Sequence, residues 1–343
     1  MRKATRWLAL ALVGAMAVGC SGCATSGKRI IRIANGQPMT HPDNIGLTAF
    51  EEHVEKNLGD KYDVQIYPNE LLGATQKAIE LVQTGAIEYV LGSTSNLETF
   101  DDIYQIFSLP YLFTSEEGFT AVMENDEFMN SIYESTDASG FRAVAWYQAG
   151  VRNIYTKTPV YTPDDLKGMK IRVQSSPTNV RMMELMGAAA VPMAYGEVYT
   201  GIQQGVIDGA ENSEMALTTM KHGEVAKYYT YNKHQMVPDL LVANLKFLEG
   251  LSDEERAIFD EAAKISTMVE VEAWDEQIAQ AKQEAETKMG VQFIETDVEA
   301  FREKVLPLHE EVLAENPDLK PYYDEIQRIQ QEVSGEKEAD TNE

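Results

Sequence analysis

The chain has 343 residues, 44% hydrophobic and 9% aromatic, enough to bury about two domains of ~150 residues each and to exclude wholesale disorder. Asp and Glu number 55 against 29 Lys and Arg, a formal charge of −26, which argues against a nucleic-acid partner and against adsorption to anionic lipid, since both need clustered cations. Cys20 and Cys23 are the only cysteines, so no disulfide framework, zinc cluster or iron–sulfur site is expected in the folded body.

Arg2, Lys3 and Arg6 precede an apolar run from Trp7 to Val18, and the small residues Ala15, Ala17 and Gly19 lead into Cys20. This is the layout of a secretory signal over residues 1–19, with an apolar stretch shorter than the ~20 residues that cross a bilayer. The small-residue run ending in Cys resembles a bacterial lipobox. Lipidation is therefore expected at Cys20, preceded by Val18-Gly19, rather than at Cys23. Cys20-Ser21-Gly22-Cys23 has the form of a C-x-x-C but lacks the βαβ context of a redox motif. The mature chain is expected outside the cytoplasm (in the periplasm or at the outer face of the cytoplasmic membrane), held to the membrane only by lipid.

Arg29–Ala34 reads as a strand, 42–58 as a helix opening after His41, and Tyr62–Tyr67 as a strand stopped by Pro68-Asn69. A helix over 75–84 ends at Gly85, and 87–91 reads as a buried strand. Strands alternating with helices predict an α/β fold with parallel pairing. Val82-Gln83-Thr84-Gly85-Ala86-Ile87-Glu88 then recurs as Ile202-Gln203-Gln204-Gly205-Val206-Ile207-Asp208. Each copy ends a helix and begins a strand, and each follows a strand, 64–67 in one case and 169–173 in the other. Two similar lobes with a cleft between them account for this.

Ser252 with Glu255 forms a capping box, and Ile258, Ala262, Ile265 and Val269, then Trp274, Ile278, Ala281 and Ala285, predict a helix to Gly290 with a bend near 269–271. At 1.5 Å per residue it spans about 55 Å, longer than one lobe. Helices are also expected over 299–314 and 320–331, and a disordered tail over 333–343.

No G-x-G-x-x-G, P-loop, H-E-x-x-H or G-x-S-x-G is present, and the histidines at 41, 53, 222, 234 and 309 lack ligand spacing. Neither an enzyme nor a cofactor nor a metal site is expected. Gly168-Met169-Lys170-Ile171-Arg172-Val173 is a strand that places Arg172 opposite its apolar face. Gly150-Val151-Arg152-Asn153 and Asp208-Gly209-Ala210-Glu211-Asn212 are the other candidate segments. On the residues alone, an Arg in a strand is more often a surface residue or an ion-pair partner than a ligand contact.

These segments carry a resemblance. Lys170-Ile171-Arg172-Val173, the run from Gln203 to Asn212, Ser108-Leu109-Pro110-Tyr111-Leu112-Phe113, and Tyr67-Pro68-Asn69 with Leu72-Gly73 resemble, in order, motifs of the dicarboxylate-binding-protein-like (DctP) solute-binding proteins of TRAP transporters. The resemblance runs from about residue 30 to 330. It implies a two-lobed, periplasmic-binding-protein-like α/β receptor with a long inter-lobe helix, which closes on an organic acid and delivers it to a membrane permease. It also implies that Arg172 grips a carboxylate, with Arg152 and Asn212 beside it. Guanidinium suits that role because its planar fork of donors pairs bidentately with a carboxylate.

Lobe I is expected over 28–149 and 238–277, and lobe II over 150–237 and 278–331, in a monomer. Gln37, His41, Gln76, Ser93, Ser95, Tyr147 and His234 lie in or beside expected strand ends as candidate hydroxyl partners, each equally readable as a loop or capping residue. Plentiful neutral donors and acceptors favour a uronate or other sugar acid, then a C4-dicarboxylate. The alternatives are the receptor of an ABC importer and, from another class, a secreted enzyme acting on sugar acids.

Overall fold

The computed structural model describes residues 27–340, so the signal segment with Cys20 and Cys23 lies outside the described residues. The first strands are β1 (Arg29–Ala34), β2 (Tyr62–Tyr67), β3 (Tyr89–Ser93) and β4 (Phe141–Tyr147). Then come β5 (Val151–Thr156), β6 (Lys170–Val173), β7 (Ala189–Pro192), β8 (Gly209–Asn212) and β9 (Tyr228–Met236). The last two are β10 (Asp239–Asn244) and β11 (Gln292–Ile294). They form two mixed sheets, ordered β2-β1-β3-β10-β4 and β11-β9-β5-β8-β6-β7. We call the lobe around the first sheet lobe I and the lobe around the second lobe II.

The expected parallel pairing holds for β1 with β2 and β3, and for β6 with β7 and β8. It fails for β5 and β10, which run antiparallel to the strands on either side. The reason is topological. Each enters its sheet from the other lobe, starting at the cleft where its neighbours end, and must therefore run against them.

The repeated phrase occupies equivalent places. In lobe I the helix Thr75–Thr84 ends at Gly85 (φ 75°, ψ 20°), and in lobe II the helix Val198–Gln204 ends at Gly205 (φ 75°, ψ 22°). Both glycines are left-handed caps donating to carbonyls of the last turn, the conformation glycine adopts without Cβ strain. The closing acids also match: Glu88 accepts from Arg32 N at 2.9 Å and Asp208 from Lys170 N at 2.8 Å. In the sheets, however, β6 corresponds to β1, and the counterpart of β2 is β7, so the strand before each repeat was mismatched in the sequence reading. β3 also starts two residues later than expected, because the amides of Ala86 and Ile87 turn back to Leu81 O to close the helix.

The long helix Asp253–Met289 is continuous over 37 residues, with the Ser252–Glu255 capping box in place. Phe259, Ala262 and Ala263 enter the lobe I core beside Phe50 and Tyr89, while Ala285 enters the lobe II core beside Tyr155 and Tyr229. Burial of Phe259 contributes about 1.5–3 kcal/mol at the lobe I end, and Ala285 packs into the other core, so the helix is fastened at both ends. Its buried face differs from the predicted stripe. Ser266 and Glu270 are buried where the sequence suggested Ile265 and Val269. Glu270 is buried because it accepts from Gln148 N at 2.8 Å, which holds the chain where it passes between lobes. Two residues on, Gly150 adopts φ 68°, and a Cβ there would lie 2.6 Å from the Trp274 ring.

The predicted helix over 299–314 is two, Val298–Val305 and Pro307–Glu315, because Pro307 cannot continue the backbone ladder. The last helix, Lys320–Asp340, runs into the segment read as a disordered tail; Glu336-Lys337-Glu338-Ala339 are strong helix formers. It packs on lobe I, not on lobe II as assigned: the Gln330 side chain accepts from Thr114 N at 2.9 Å and donates to Leu112 O at 3.1 Å.

Candidate functional site

A cavity of about 330 Å³ lies between the lobes, where the parallel strands end and where such folds bind ligands. Lobe II supplies the basic wall. Arg172 projects from β6 with its Nε donating to Met193 O at 2.9 Å, and its guanidinium carbon lies 5.6 Å from the centre of the Tyr195 ring. The residue is buried, and its terminal nitrogens have no hydrogen-bond or ion-pair partner among the described residues. Burial, the largest influence, pulls the Arg172 pKa below its ordinary value; Glu211 acts the other way without restoring it. An Arg remains charged regardless, so the cavity wall holds an uncompensated cation.

Arg152 is different. Its Nε donates to Glu211 Oε2 at 2.6 Å and its Nη2 to Oε1 at 3.0 Å, a bidentate pair with both side chains buried. Burial alone would lower the Arg152 pKa, but Glu211 leaves it raised; burial would likewise raise Glu211, but Arg152 and a hydrogen bond from His234 pull it down to about 2. Arg152 Nη1 donates to Asn212 Oδ1 at 3.2 Å, and Asn212 donates to the Tyr195 hydroxyl at 3.4 Å. The pair thus orients Asn212 at the cavity while the Arg152 charge is already balanced.

Gln37, His41, Gln76 and Ser93 line the lobe I wall. His41 and Ser93 are also helix caps, accepting from Asp43 N at 3.3 Å and Ser95 N at 3.3 Å. Ser95, Tyr147 and His234 do not line the cavity, contrary to expectation. Ser95 lies 2.8 Å from Ser108 Oγ and accepts from Asn179 across the lobe junction. Tyr147 is buried in the lobe I core on the far face of its strand. His234, whose pKa is lowered chiefly by burial, lies behind the wall with Nε2 3.3 Å from Glu211 Oε2. For Tyr147 and His234 this follows from the two-residue period of a strand, which turns alternate side chains away from the cleft; Ser95 instead lies in the short helix Thr94–Leu97 that follows β3.

The cavity adds residues that the sequence reading missed as ligand contacts: Asp43, Glu70, Gln174, Tyr195, Asp239 and Trp274. Glu70, at the mouth, has a left-handed backbone (φ 56°) and accepts from Gly196 N of lobe II at 3.1 Å, so the lobes are bridged at the rim. On the opposite side Glu98 of lobe I accepts from Ser176 Oγ at 2.8 Å and Thr178 N at 3.4 Å, at the start of the lobe II helix Pro177–Leu185. Burial pushes Glu98 up to about 7. Among the described residues, no helix is long and apolar enough to cross a membrane and no cluster of His, Cys, Asp or Glu is arranged to hold a metal.

Known proteins share this arrangement. The profile of the bacterial extracellular solute-binding protein family 7 matches residues 33–316. A TRAP periplasmic solute-binding protein of Anaerococcus prevotii, solved with bound D-glucuronate, is 52% identical and superposes with a TM-score of 0.87 over 89% of this chain and 99% of its own. A second, from Sulfitobacter with bound β-D-galacturonate, is 31% identical with a TM-score of 0.83, over 86% of this chain and 98% of that one. Among curated relatives, the protein YiiZ of Salmonella typhimurium is 40% identical over 88% of this chain and 92% of its own length. The C4-dicarboxylate-binding protein DctP of Rhodobacter capsulatus is 29% identical over 90% of this chain and 94% of its own. With two sheets joined by crossing strands and one long helix, and the unpaired Arg172 facing the cleft, this chain belongs to family 7, the extracytoplasmic solute-binding proteins of TRAP transporters.

Proposed function

We propose that this protein captures a hexuronate, D-glucuronate or D-galacturonate, in the inter-lobe cavity and delivers it to the membrane subunits of a TRAP transporter without transforming it. The observation that carries this reading is Arg172, a buried guanidinium with free terminal nitrogens at the cavity wall. One unpaired cation calls for one carboxylate, held bidentately. Tyr195 bounds it on one side, and Asn212 supplies an uncharged donor. The uronates bound in the two structural relatives support the same assignment. A C4-dicarboxylate is disfavoured because Arg152, the other arginine on the wall, already spends its charge on Glu211. The signal pattern supports export and lipid attachment at Cys20, where the short polar stretch 21–28 would tether the body to the membrane.

A thermal-shift series over D-glucuronate, D-galacturonate and succinate tests the reading. A ligand bound only by the folded state stabilises it by about 2.7 kcal/mol at a hundred times its Kd. A uronate should raise the melting temperature at concentrations where succinate has little effect. A shift with succinate and none with either uronate would replace the uronate by a dicarboxylate.

A further inference from the structure

We propose that Asp239 is the specificity-determining residue for the hydroxyl end of the ligand, accepting hydrogen bonds from sugar hydroxyls and turning away a second carboxylate. This rests on the uronate reading above.

The cavity is polarised in its hydrogen bonding. Lobe II offers donors in the free terminal nitrogens of Arg172 and the amide of Asn212. The lobe I wall offers open acceptors. Gln37 Oε1 and Glu70 Oε1 are buried without a partner, and the Asp239 side chain makes no hydrogen bond or ion pair with another described residue. A ligand satisfying both walls has an acceptor-only group at one end and hydroxyl donors at the other. That is a polyhydroxy monocarboxylate.

The fold places Asp239 for this task. It is the first residue of β10 and pairs with Ser93 of β3 on one side and Tyr147 of β4 on the other. Lobe II repeats the layout, since β5 also enters from the cleft and brings Arg152 to the wall at its second residue. Equivalent crossing strands thus deliver a base from one lobe and an acid from the other. Burial, with Asp43 close by, pushes Asp239 up to about 8, while Arg152 pulls it down. Glu270 packs behind them and His41 sits 3.0 Å from Asp43. An anion placed here would face Asp43 as well as Asp239. A hydroxyl would find open carboxyl lone pairs on Asp239, whose side chain has no hydrogen-bond partner among the described residues.

A site built to hydrogen-bond a hydroxyl rejects analogues that lack it far more strongly than an apolar pocket does, because its buried polar groups are then left unpaired. Asp239→Asn keeps the size but replaces one acceptor with a donor. Titration calorimetry with D-glucuronate and succinate, on wild type, Asp239→Asn and Asp239→Ala, reads the effect. Wild type should bind glucuronate, both variants should lose about tenfold or more, and the glucuronate-to-succinate preference should fall by a similar factor. The ligand-free melting temperature of Asp239→Asn at pH 7 should match or exceed wild type, since the folded wild type must keep a proton, at a carboxyl pushed up to about 8, that the unfolded chain releases. Unchanged glucuronate affinity in Asp239→Asn, with wild type binding well, would overturn the role of Asp239 alone. Wild type that takes up neither uronate would overturn the uronate reading and this inference with it.

Discussion

The two lobes build the same helix–glycine–strand unit and end it differently. In lobe I the strand closes on Gly92-Ser93, small and neutral; in lobe II it closes on Glu211-Asn212. The backbone is the same down to the cap angles of Gly85 and Gly205 and the acid that satisfies the neighbouring strand. The chemistry is not. Glu211 buries its carboxylate against Arg152 and so fixes Asn212, whereas the lobe I strand end leaves room for ligand and for Asp239. Duplicated scaffolding therefore positions the site, and a few side chains at the strand ends decide what it holds.

The largest effect should come from breaking the lobe II end. Glu211→Gln leaves Arg152 buried and unpaired, and loss of one partner of a buried ion pair typically costs about 3–5 kcal/mol. The depression of Glu211 to about 2 agrees, at ~3 kcal/mol for the 2.5 units below an ordinary 4.5. This stability is present above the ordinary carboxylate pKa and is lost as pH falls toward 2. Chemical denaturation at pH 7 should show the full cost, and an unfolding free energy within 1 kcal/mol of wild type would mean that the pair does not hold the lobe.

Arg172 should behave in the opposite way. Because it has no protein partner, Arg172→Ala should leave the unliganded fold as stable as wild type or more so, yet cost about 2–5 kcal/mol in uronate binding. Arg172→Lys should recover little, since an ammonium lacks the planar fork. Calorimetry and melting curves on the same variants separate the two arginines; loss of stability without loss of binding would exchange their roles.

Where the lobes meet, Glu98 supplies a pH test. Burial raises its pKa from 4.5 to about 7, so the folded state holds the proton more tightly than the unfolded chain. The resulting stability is complete below pH 4.5 and disappears as pH rises through 7, a loss of at most ~3 kcal/mol. Glu98→Gln should therefore gain on wild type between pH 5 and pH 8 in a melting series. A difference independent of pH would mean that Glu98 is ionised throughout.

The smallest effect sharpens the comparison itself. Gly85→Ala and Gly205→Ala each force a side chain into the left-handed region, at roughly 1 kcal/mol apiece. Their neighbourhoods are alike, with the nearest atom to an added Cβ at 3.4 Å and 3.6 Å. Denaturation midpoints of the two variants should fall together, and a large disparity would show that the units are alike in shape but not in energetics.

Much of this was legible in the sequence because local signals and tertiary demands agree there. The caps at Gly85, Gly205 and Ser252 mark their helices in place, and the repeat marks the two lobes. Arg152, Arg172 and Asn212, singled out in the sequence, all reach the cavity wall. What was missed depends on long-range contacts. Glu270 looks solvated in a polar helix but satisfies an amide 122 residues away. Asp239 follows Pro238 as an ordinary strand start, and only the return of β10 to the first sheet brings it beside Ser93. His234 and Tyr147 lie on strands that touch the cleft, and strand alternation turns them inward, a distinction that needs the register.

The most direct test is a crystal structure of the protein with D-glucuronate bound. The account predicts the ligand carboxylate within about 2.7–3.0 Å of both terminal nitrogens of Arg172, with the hydroxyl end toward the lobe I wall. A carboxylate seated against lobe I, with hydroxyls on Arg172, would contradict it.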